Sequence, residues 1–438
     1  MAKLIYSGDV FSETTIPENE DDNLGLQSYN DNLGSLPTIY DAQGNFVHVV
    51  NSYFFDLKAA SRLKDISSNS RGLLKYWSFL ESQNLSWNSF PPLKHLKPTY
   101  MFRSFLLVEI KQNVLSQSTA NAYINHVRNF YTWAISEGFL DIRNEKEAPF
   151  KIEKISIQNS GSLAHLQPTI IVYSSDLRIR VAKSSQSIRS LSPLSRNDLS
   201  LLTKCMMCMS VEFQLQCLLA MLSGLRIQEV STFTIEALKT SRSVTEGSNR
   251  HEVIIGPSTG VQTKYGKQRT IEIPDHLLQC LKRYSISERR LSRAHKLKGK
   301  LLAIHEGGVQ LNKDKAERFV LSERFEPLFI SEQGNPVDKA SINARWSDLR
   351  KKAKLINSSF SHKFHDLRST YGTFRLNDML EVNIKPIEAL ELLMGWMGHN
   401  HETTTWKYLK YLKRKEAQKE KFALLDTIMH EAIRSLNE

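Results

Sequence analysis

Residues 361–411 read SHKFHDLRSTYGTFRLNDMLEVNIKPIEALELLMGWMGHNHETTTWKYLKY. In this stretch His365 and Arg368 stand three apart, Gly398 and His399 are adjacent, and Tyr408 follows His399 by nine residues. Two more basic residues lie upstream, Arg226 in SGLRIQEV and Lys264 in QTKYGKQRTIEIP. On a helix, residues three apart are neighbours, so His365 and Arg368 share a face. His399 follows a glycine and precedes the polar run Asn400–Thr405. That setting predicts a helix N-terminus, where the ring and backbone N–H groups can donate to an anion.

These residue types suit attack by a tyrosine hydroxyl on a phosphodiester. Negative charge builds on the non-bridging oxygens as the nucleophile adds, and planar, permanently charged guanidiniums clamp such oxygens. Stabilisation that acts mainly in the transition state raises the rate. Tyrosine is neutral at pH 7 and needs a base within reach, most often a histidine. The departing 5′-oxygen needs a proton, which a lysine beside the phosphate can supply.

In these motifs the chain resembles the tyrosine recombinase, or phage integrase, family. That family has an arginine in a TGLR-like turn, a lysine in a β-hairpin, a His-x-x-Arg helix, a Gly-His pair and a tyrosine nine residues on. The matching positions are Arg226, Lys264, His365, Arg368, His399 and Tyr408. The resemblance spans roughly residues 55–415, with its specific part between 220 and 410. A single element is a weak signal; the ordered set is a strong one. The resemblance implies a mainly α fold with a small antiparallel β-sheet, in which a helical core-binding domain joins a tyrosine-recombinase catalytic domain. It implies a site-specific recombinase or integrase that cuts and rejoins double-stranded DNA through a 3′-phosphotyrosine, without metal, ATP or cofactor. Arg226, Arg368 and His399 would hold the phosphate, His365 would assist proton removal from Tyr408, and Lys264 would protonate the 5′-oxygen. Lys267 is the alternative acid. A homo-tetramer on paired sites, passing through a Holliday junction, integration or excision of a mobile element, and accessory DNA-bending proteins are further implications.

Composition agrees with a polyanionic partner: net charge is +12 and the isoelectric point is near 9.3. The excess is uneven. Residues 1–50 carry one basic and eight acidic residues, net −7, so the remainder carries +19. The four cysteines, Cys205, Cys208, Cys217 and Cys280, lie mostly in LLTKCMMCMSVEFQLQCLLAML, which reads as one apolar helix with buried thiols rather than a metal site. Few cysteines in a long chain fit a reducing cytoplasm; the family resemblance implies that this is a bacterial or phage-type setting, with the protein on the nucleoid. MAKLIYSGDV lacks the apolar run of a signal peptide, and no stretch approaches the ~18 apolar residues of a membrane span.

Four regions follow along the chain. Residues 1–57 form an acidic N-terminal arm, poorly ordered to about residue 36, with two short strands in 36–57 around an Ala-Gln-Gly-Asn turn. Its charge favours a docking arm over a DNA-binding module. Residues 58–140 form a helical core-binding domain that resembles the DNA clamp of the family. Its first helix shows Leu73, Leu74, Trp77 and Leu80 on one face, and its third is capped by Ser118 or Thr119 and stopped by Gly138. Residues 141–191 form a linker in which Arg178, Arg180, Lys183 and Arg189 either cross a DNA backbone or stay solvated. Residues 192–438 form the catalytic domain, opened by a helix capped by Ser195 or Asn197, with strands at 252–258 and 269–274.

Within 285–322, SERRLSRAHKLKGK reads as a basic helix, either a DNA contact or a solvated face. Glu229, one turn after Arg226, is placed to orient its guanidinium. His362 and His401 fall beside the motif positions. Tyr411 is the rival nucleophile, and Trp406 is placed to pack beside a phosphate. Phe422, Leu425, Met429, Ala432 and Leu436 form an amphipathic stripe that docks on its own domain or on a neighbour. Two rival readings remain: a relaxing type IB topoisomerase, disfavoured by the clamp-like domain, and a silent DNA-binding protein, which has no use for Tyr408 or Lys264. A metal-dependent nuclease lacks its acidic cluster.

Overall fold

The computed structural model describes residues 1–15, 27–63, 65–144, 146–158, 169–180, 191–245, 249–306, 313–399 and 405–409. The chain divides into two units, the first Met1–Ser187 and the second taken up mainly by Ile188–Gln310 and Lys315–Glu438.

The first unit opens with a long antiparallel hairpin, β1 (Lys3–Thr15) and β2 (Gln27–Tyr40), paired from Lys3 opposite Tyr40 to Thr15 opposite Gln27 with register shifts between Tyr6 and Glu13. Disorder before residue 36 is therefore corrected for the residues described. Leu33, Leu36 and Ile39 are buried, and this inner face gives the acidic arm something to pack. The second of the two strands expected in 36–57 is also corrected. It is a helix, α1 (His48–Ala59), because Val50, Tyr53, Phe54 and Leu57 recur at helical spacing and all are buried. Asn51 fastens it to β2: its side-chain amide donates to the Ile39 carbonyl at 3.0 Å and accepts the Ile39 N–H at 2.8 Å.

Three helices complete this core, α2 (Ser67–Ser82), α3 (Pro98–Lys111) and α4 (Gln117–Ser136). Leu73, Trp77 and Leu80 of α2 are buried while Leu74 is half-buried. The cap of α4 is Ser116, whose hydroxyl accepts from the Thr119 amide, not Ser118 or Thr119. Buried aromatic rings fill the centre, and Tyr76 and Tyr131 share a hydrogen bond of 2.7 Å. A second hairpin, β3 (Ile152–Gln158) and β4 (Thr169–Ser175), lies within the stretch expected as linker, and Leu177 and Ile179 just after it enter the core of this unit.

The second unit is helical around a three-stranded antiparallel sheet, in the order β5 (Arg242–Ser243), β6 (Arg250–Ile255), β7 (Arg269–Pro274). The chain is thus mainly α with small antiparallel sheets. Ser195 caps α5 (Arg196–Met206) in a reciprocal pair with Asp198. The continuous apolar helix expected through the cysteines is broken: α5 ends at Met206 and α6 (Val211–Ser223) begins after a turn that leaves Cys208 exposed. Two short helices follow, α7 (Ile227–Ser231) and α8 (Ile235–Lys239). After the sheet come α9 (Asp275–Ser285), α10 (Glu288–His305), α11 (Lys313–Arg324), α12 (Lys339–Ile356), α13 (Phe364–Glu381) and α14 (Pro386–Met397).

The basic helix α10 is neither a free DNA-facing surface nor a simple solvated face along its arginines. Arg290 is buried and donates to the Pro327 carbonyl at 2.9 Å, and Arg293 donates to that of Ile330 at 3.0 Å. Arg289 and Arg293 also pair with the buried Glu212 at 2.7 and 2.9 Å. These cations tie α10 to α6 and to the segment around Pro327–Ile330. No described helix is long and apolar enough to cross a membrane.

Candidate active site

The site is assembled where α6 stops. Gly224 closes that helix in the left-handed conformation, φ +67°, and a Cβ there would lie 2.4 Å from the Tyr371 ring. We expect Gly224→Ala to destabilise the unit by about 1–3 kcal/mol, from backbone strain and overpacking together. Denaturant unfolding would measure it, and an unchanged midpoint would contradict this placement.

Beyond Gly224 the chain extends through Arg226, the extended residue immediately before α7. Its Nη1 donates to Glu229 Oε1 at 3.0 Å and its Nη2 to the Gly398 carbonyl at 3.0 Å. Glu229 has no exposed surface and serves a second arginine. Arg269, the first residue of β7, places Nη1 and Nη2 at 2.9 and 2.7 Å from its two oxygens and donates from Nε to the Trp396 carbonyl at 2.9 Å. Burial would raise the Glu229 carboxyl, but the Arg269 guanidinium hydrogen-bonded to it holds it below its ordinary value, so Glu229 is ionised.

Arg368 lies on α13, one turn after His365. It is buried and donates to the carbonyls of Gly224 and Met397, with no carboxylate in contact among the described residues. Burial and the neighbouring Arg226 push it down to about 9, so it stays charged at neutral pH. Two guanidiniums therefore share the buried Glu229 carboxylate, and a third, Arg368, lies within its electrostatic reach without bonding it.

The helix expected to start at His399 would fall on residues 400–404, which lie outside the described residues. His399 follows the C-terminus of α14, where Gly398 is left-handed (φ +59°) and the His399 amide donates to the Met394 carbonyl at 3.1 Å. Its Nδ1 lies 2.9 Å from the Thr405 hydroxyl. Burial, then Arg368 and Arg226, push its pKa down to about 3, which leaves the ring neutral. His365 is exposed yet also held below its ordinary value, by burial of part of the ring and by Arg368.

Tyr408 lies on a helical turn, residues 405–409, and is buried. Its ring is parallel to that of His399, with centroids 6.1 Å apart and planes at 16°. The ring also rests on Gly372 of α13: a Cβ there would lie 2.6 Å from Tyr408 Cε1. Burial raises the phenol, while Arg368, Arg226 and a hydrogen bond with Ser369 oppose the rise. Tyr408 thus sits against the arginines of its own chain.

Five of the six expected residues, Arg226, His365, Arg368, His399 and Tyr408, gather here. Lys264 does not join them. It is exposed in the connection between β6 and β7, with its ammonium 4.9 Å from the Tyr265 ring centroid. The expected strand at 252–258 ends at Ile255, so this connection is long. Arg269 went unread in the sequence, although an arginine opening the apolar strand RTIEIP was its available signal. Trp406 is partly exposed, whereas His401, Tyr411 and the 422–436 stripe lie outside the described residues. Among the described residues no cluster of three or more His, Cys, Asp or Glu side chains offers a metal site.

His362 is a structural partner. Its Nε2 lies 3.3 Å from Asp198 and its Nδ1 3.6 Å from Asp366. Burial would lower its pKa, but the two carboxylates raise it above the usual 6.5. The stability it contributes is fully present below that value and is lost as pH rises through the folded pKa. The difference in melting temperature between wild type and His362→Gln should therefore shrink from about pH 6 to about pH 8.5; a constant difference would contradict the pairing.

The second unit thus gathers the guanidiniums of Arg226 and Arg368 and the imidazole of His399 around a buried tyrosine hydroxyl. Residues 194–415, just over half of the chain, match the phage integrase family, and the chain belongs to it. No curated protein matches the chain in sequence. Among solved structures it is similar to the Tn1549 transposon integrase (residues 82–397) in complex with circular intermediate DNA, at 15% identity over 82% of this chain and 94% of that one, TM-score 0.45. It is similar to the XerH recombinase bound to its difH substrate, at 13% identity over 82% and 78%, TM-score 0.43. It is also similar to a lambda integrase dimer (residues 75–356) on a COC′ core site, at 14% identity over 84% and 96%, TM-score 0.44.

Proposed function

We propose that the protein cuts and rejoins double-stranded DNA at specific sites by transesterification. Tyr408 attacks a phosphodiester, the Tyr408 oxygen–phosphorus bond forms, and the bond from phosphorus to the 5′-oxygen breaks. The 3′-phosphotyrosine keeps the bond energy, so a 5′-hydroxyl reverses the step without ATP. The observation that carries this reading is the charge balance around Tyr408: Arg226, Arg269 and Arg368 face one carboxylate, Glu229. That excess matches a phosphodiester whose negative charge grows in the transition state, and the guanidiniums supply the stabilisation that a metal gives elsewhere. Arg226 and Arg368 hold the phosphate, neutral His399 donates to it, and neutral His365 accepts the phenolic proton.

Lys264 reaches the 5′-oxygen in the DNA-bound state, its exposed connection closing onto the duplex. Lys264→Ala should slow cleavage about 10²- to 10⁴-fold. A substrate with sulfur in place of the 5′-bridging oxygen, whose thiolate leaves without a proton, should restore most of the rate. A defect insensitive to sulfur would remove Lys264 as the acid, and a sulfur-sensitive defect in Lys267→Ala would move the role there.

Residues 58–140 act as a core-binding domain, 141–191 as a linker and 192–438 as the catalytic domain, with the acidic arm docking on protein. In this reading the protein assembles as a homo-tetramer on paired sites, acts on the ends of a mobile element with DNA-bending accessory proteins, and works on the nucleoid. The test is strand transfer: a nicked duplex of the element's own ends, offered a partner strand with a free 5′-hydroxyl and no ATP or divalent metal. Joined product is expected. Relaxation of supercoils without joining between duplexes would favour the topoisomerase reading, and tight binding with no cleavage the silent one.

A further inference from the structure

The contact between His399 and Thr405 goes beyond the six motif positions. Thr405 is 1% exposed, and its hydroxyl is within 2.9 Å of Nδ1 of His399. Thr405 and Tyr408 stand three apart on one helical turn, so a single segment grips the His399 ring at its edge and lies against its face. No described residue bonds the opposite nitrogen, Nε2. Burial, and then the charges of Arg368, Arg226 and Arg269, keep the ring neutral with a single proton. In a neutral imidazole one nitrogen donates and the other accepts, and the partner of one decides the role of the other.

We propose that Thr405 is a positioning residue: its buried hydroxyl donates to Nδ1 of His399, which keeps the ring proton on Nε2 and aims it at the scissile phosphate. Because Thr405 belongs to the tyrosine segment, the phosphate donor is completed only when the nucleophile is seated. The converse tautomer would turn a lone pair toward the phosphate and repel it. An unseated segment would thus leave both Tyr408 and a properly protonated His399 missing, which guards against cleavage by a half-assembled site. This inference rests on the transesterification reading for its consequence, though not for its direct readout.

Three variants and one spectrum test it. Thr405→Val keeps the shape and removes the hydroxyl; we expect covalent-complex formation on a nicked duplex to slow about 10- to 100-fold. Thr405→Ser should stay within about 3-fold of wild type, since it keeps the donor. Thr405→Val added to His399→Leu should cause no further loss, because the effect of Thr405 passes through that ring. Equal defects in the serine and valine variants, or losses that multiply, would overturn the proposal. The direct readout uses protein labelled with ¹⁵N-histidine, the His399 signal being identified by its loss in His399→Gln. Wild type should show the Nε2–H tautomer and Thr405→Val a mixture; an Nδ1–H wild type would overturn the assignment. The spectrum needs no cleavage, so failure of the proposed reaction and failure of this inference are separately visible.

Discussion

Arg368→Lys is expected to reduce the single-turnover rate of covalent-complex formation about 10³-fold while DNA binding changes little. The reason is geometric. The Arg368 guanidinium fills a buried position and donates to the Gly224 and Met397 carbonyls, which leaves its remaining donors and its charge for the phosphate. A lysine ammonium is a point charge on a flexible stem and cannot span both carbonyls and a phosphate oxygen in one plane. Its buried stem also lacks a carboxylate partner, so the ammonium would be driven toward neutrality. Quench-flow on a nicked duplex, with binding followed separately, reads the effect. A loss under about tenfold would mean that Arg368 serves packing more than chemistry.

Glu229→Ala is expected to cost about 3–5 kcal/mol of stability, because removing one partner of a buried ion pair strands the other. Here two guanidiniums are stranded together. Arg226 and Arg269 both lose their acceptor, and Arg368 loses the nearest negative charge. The carboxyl is held below its ordinary value, so its contribution is present above the unfolded pKa near 4.5 and disappears as pH falls through the folded one. Glu229→Gln, which retains shape and one acceptor, should be less destabilised yet still slow in cleavage, since Arg226 would lose its fixed orientation. Equilibrium unfolding of the three proteins at neutral pH measures this. Equal stability of the alanine variant and wild type would show that the arginines find other partners.

Much of this centre was legible in the sequence because its information is local. His365 and Arg368 are one turn apart on one helix, Gly224 announces the end of α6, and Tyr408 keeps a fixed distance from His399. Long-range pairing was not legible. Nothing near Glu229 points to Arg269, forty residues on, and nothing in SERRLSRAHKLKGK shows that Arg290 and Arg293 turn inward to backbone carbonyls. A basic helix has the same pattern whether its arginines meet water, phosphate or buried carbonyls. The N-terminal arm was misread for a related reason. Its acidic residues suggested disorder, while the buried face of Leu33, Leu36 and Ile39 depends on Asn51 and the α1 helix it contacts. Gly398 ends α14 in the left-handed conformation, a role that the Gly-His pair alone did not distinguish from preceding a new helix.

The central claim is that the Tyr408 oxygen becomes bonded to DNA. The most direct measurement traps that bond on a duplex nicked beside the cleavage point, without divalent metal, and compares wild type with Tyr408→Phe on a denaturing gel. The account predicts a protein–DNA band in wild type, absent from the variant, with peptide mass spectrometry locating a 3′-nucleotide on Tyr408. A band that persists in Tyr408→Phe, or a nucleotide found on Tyr411, would contradict it.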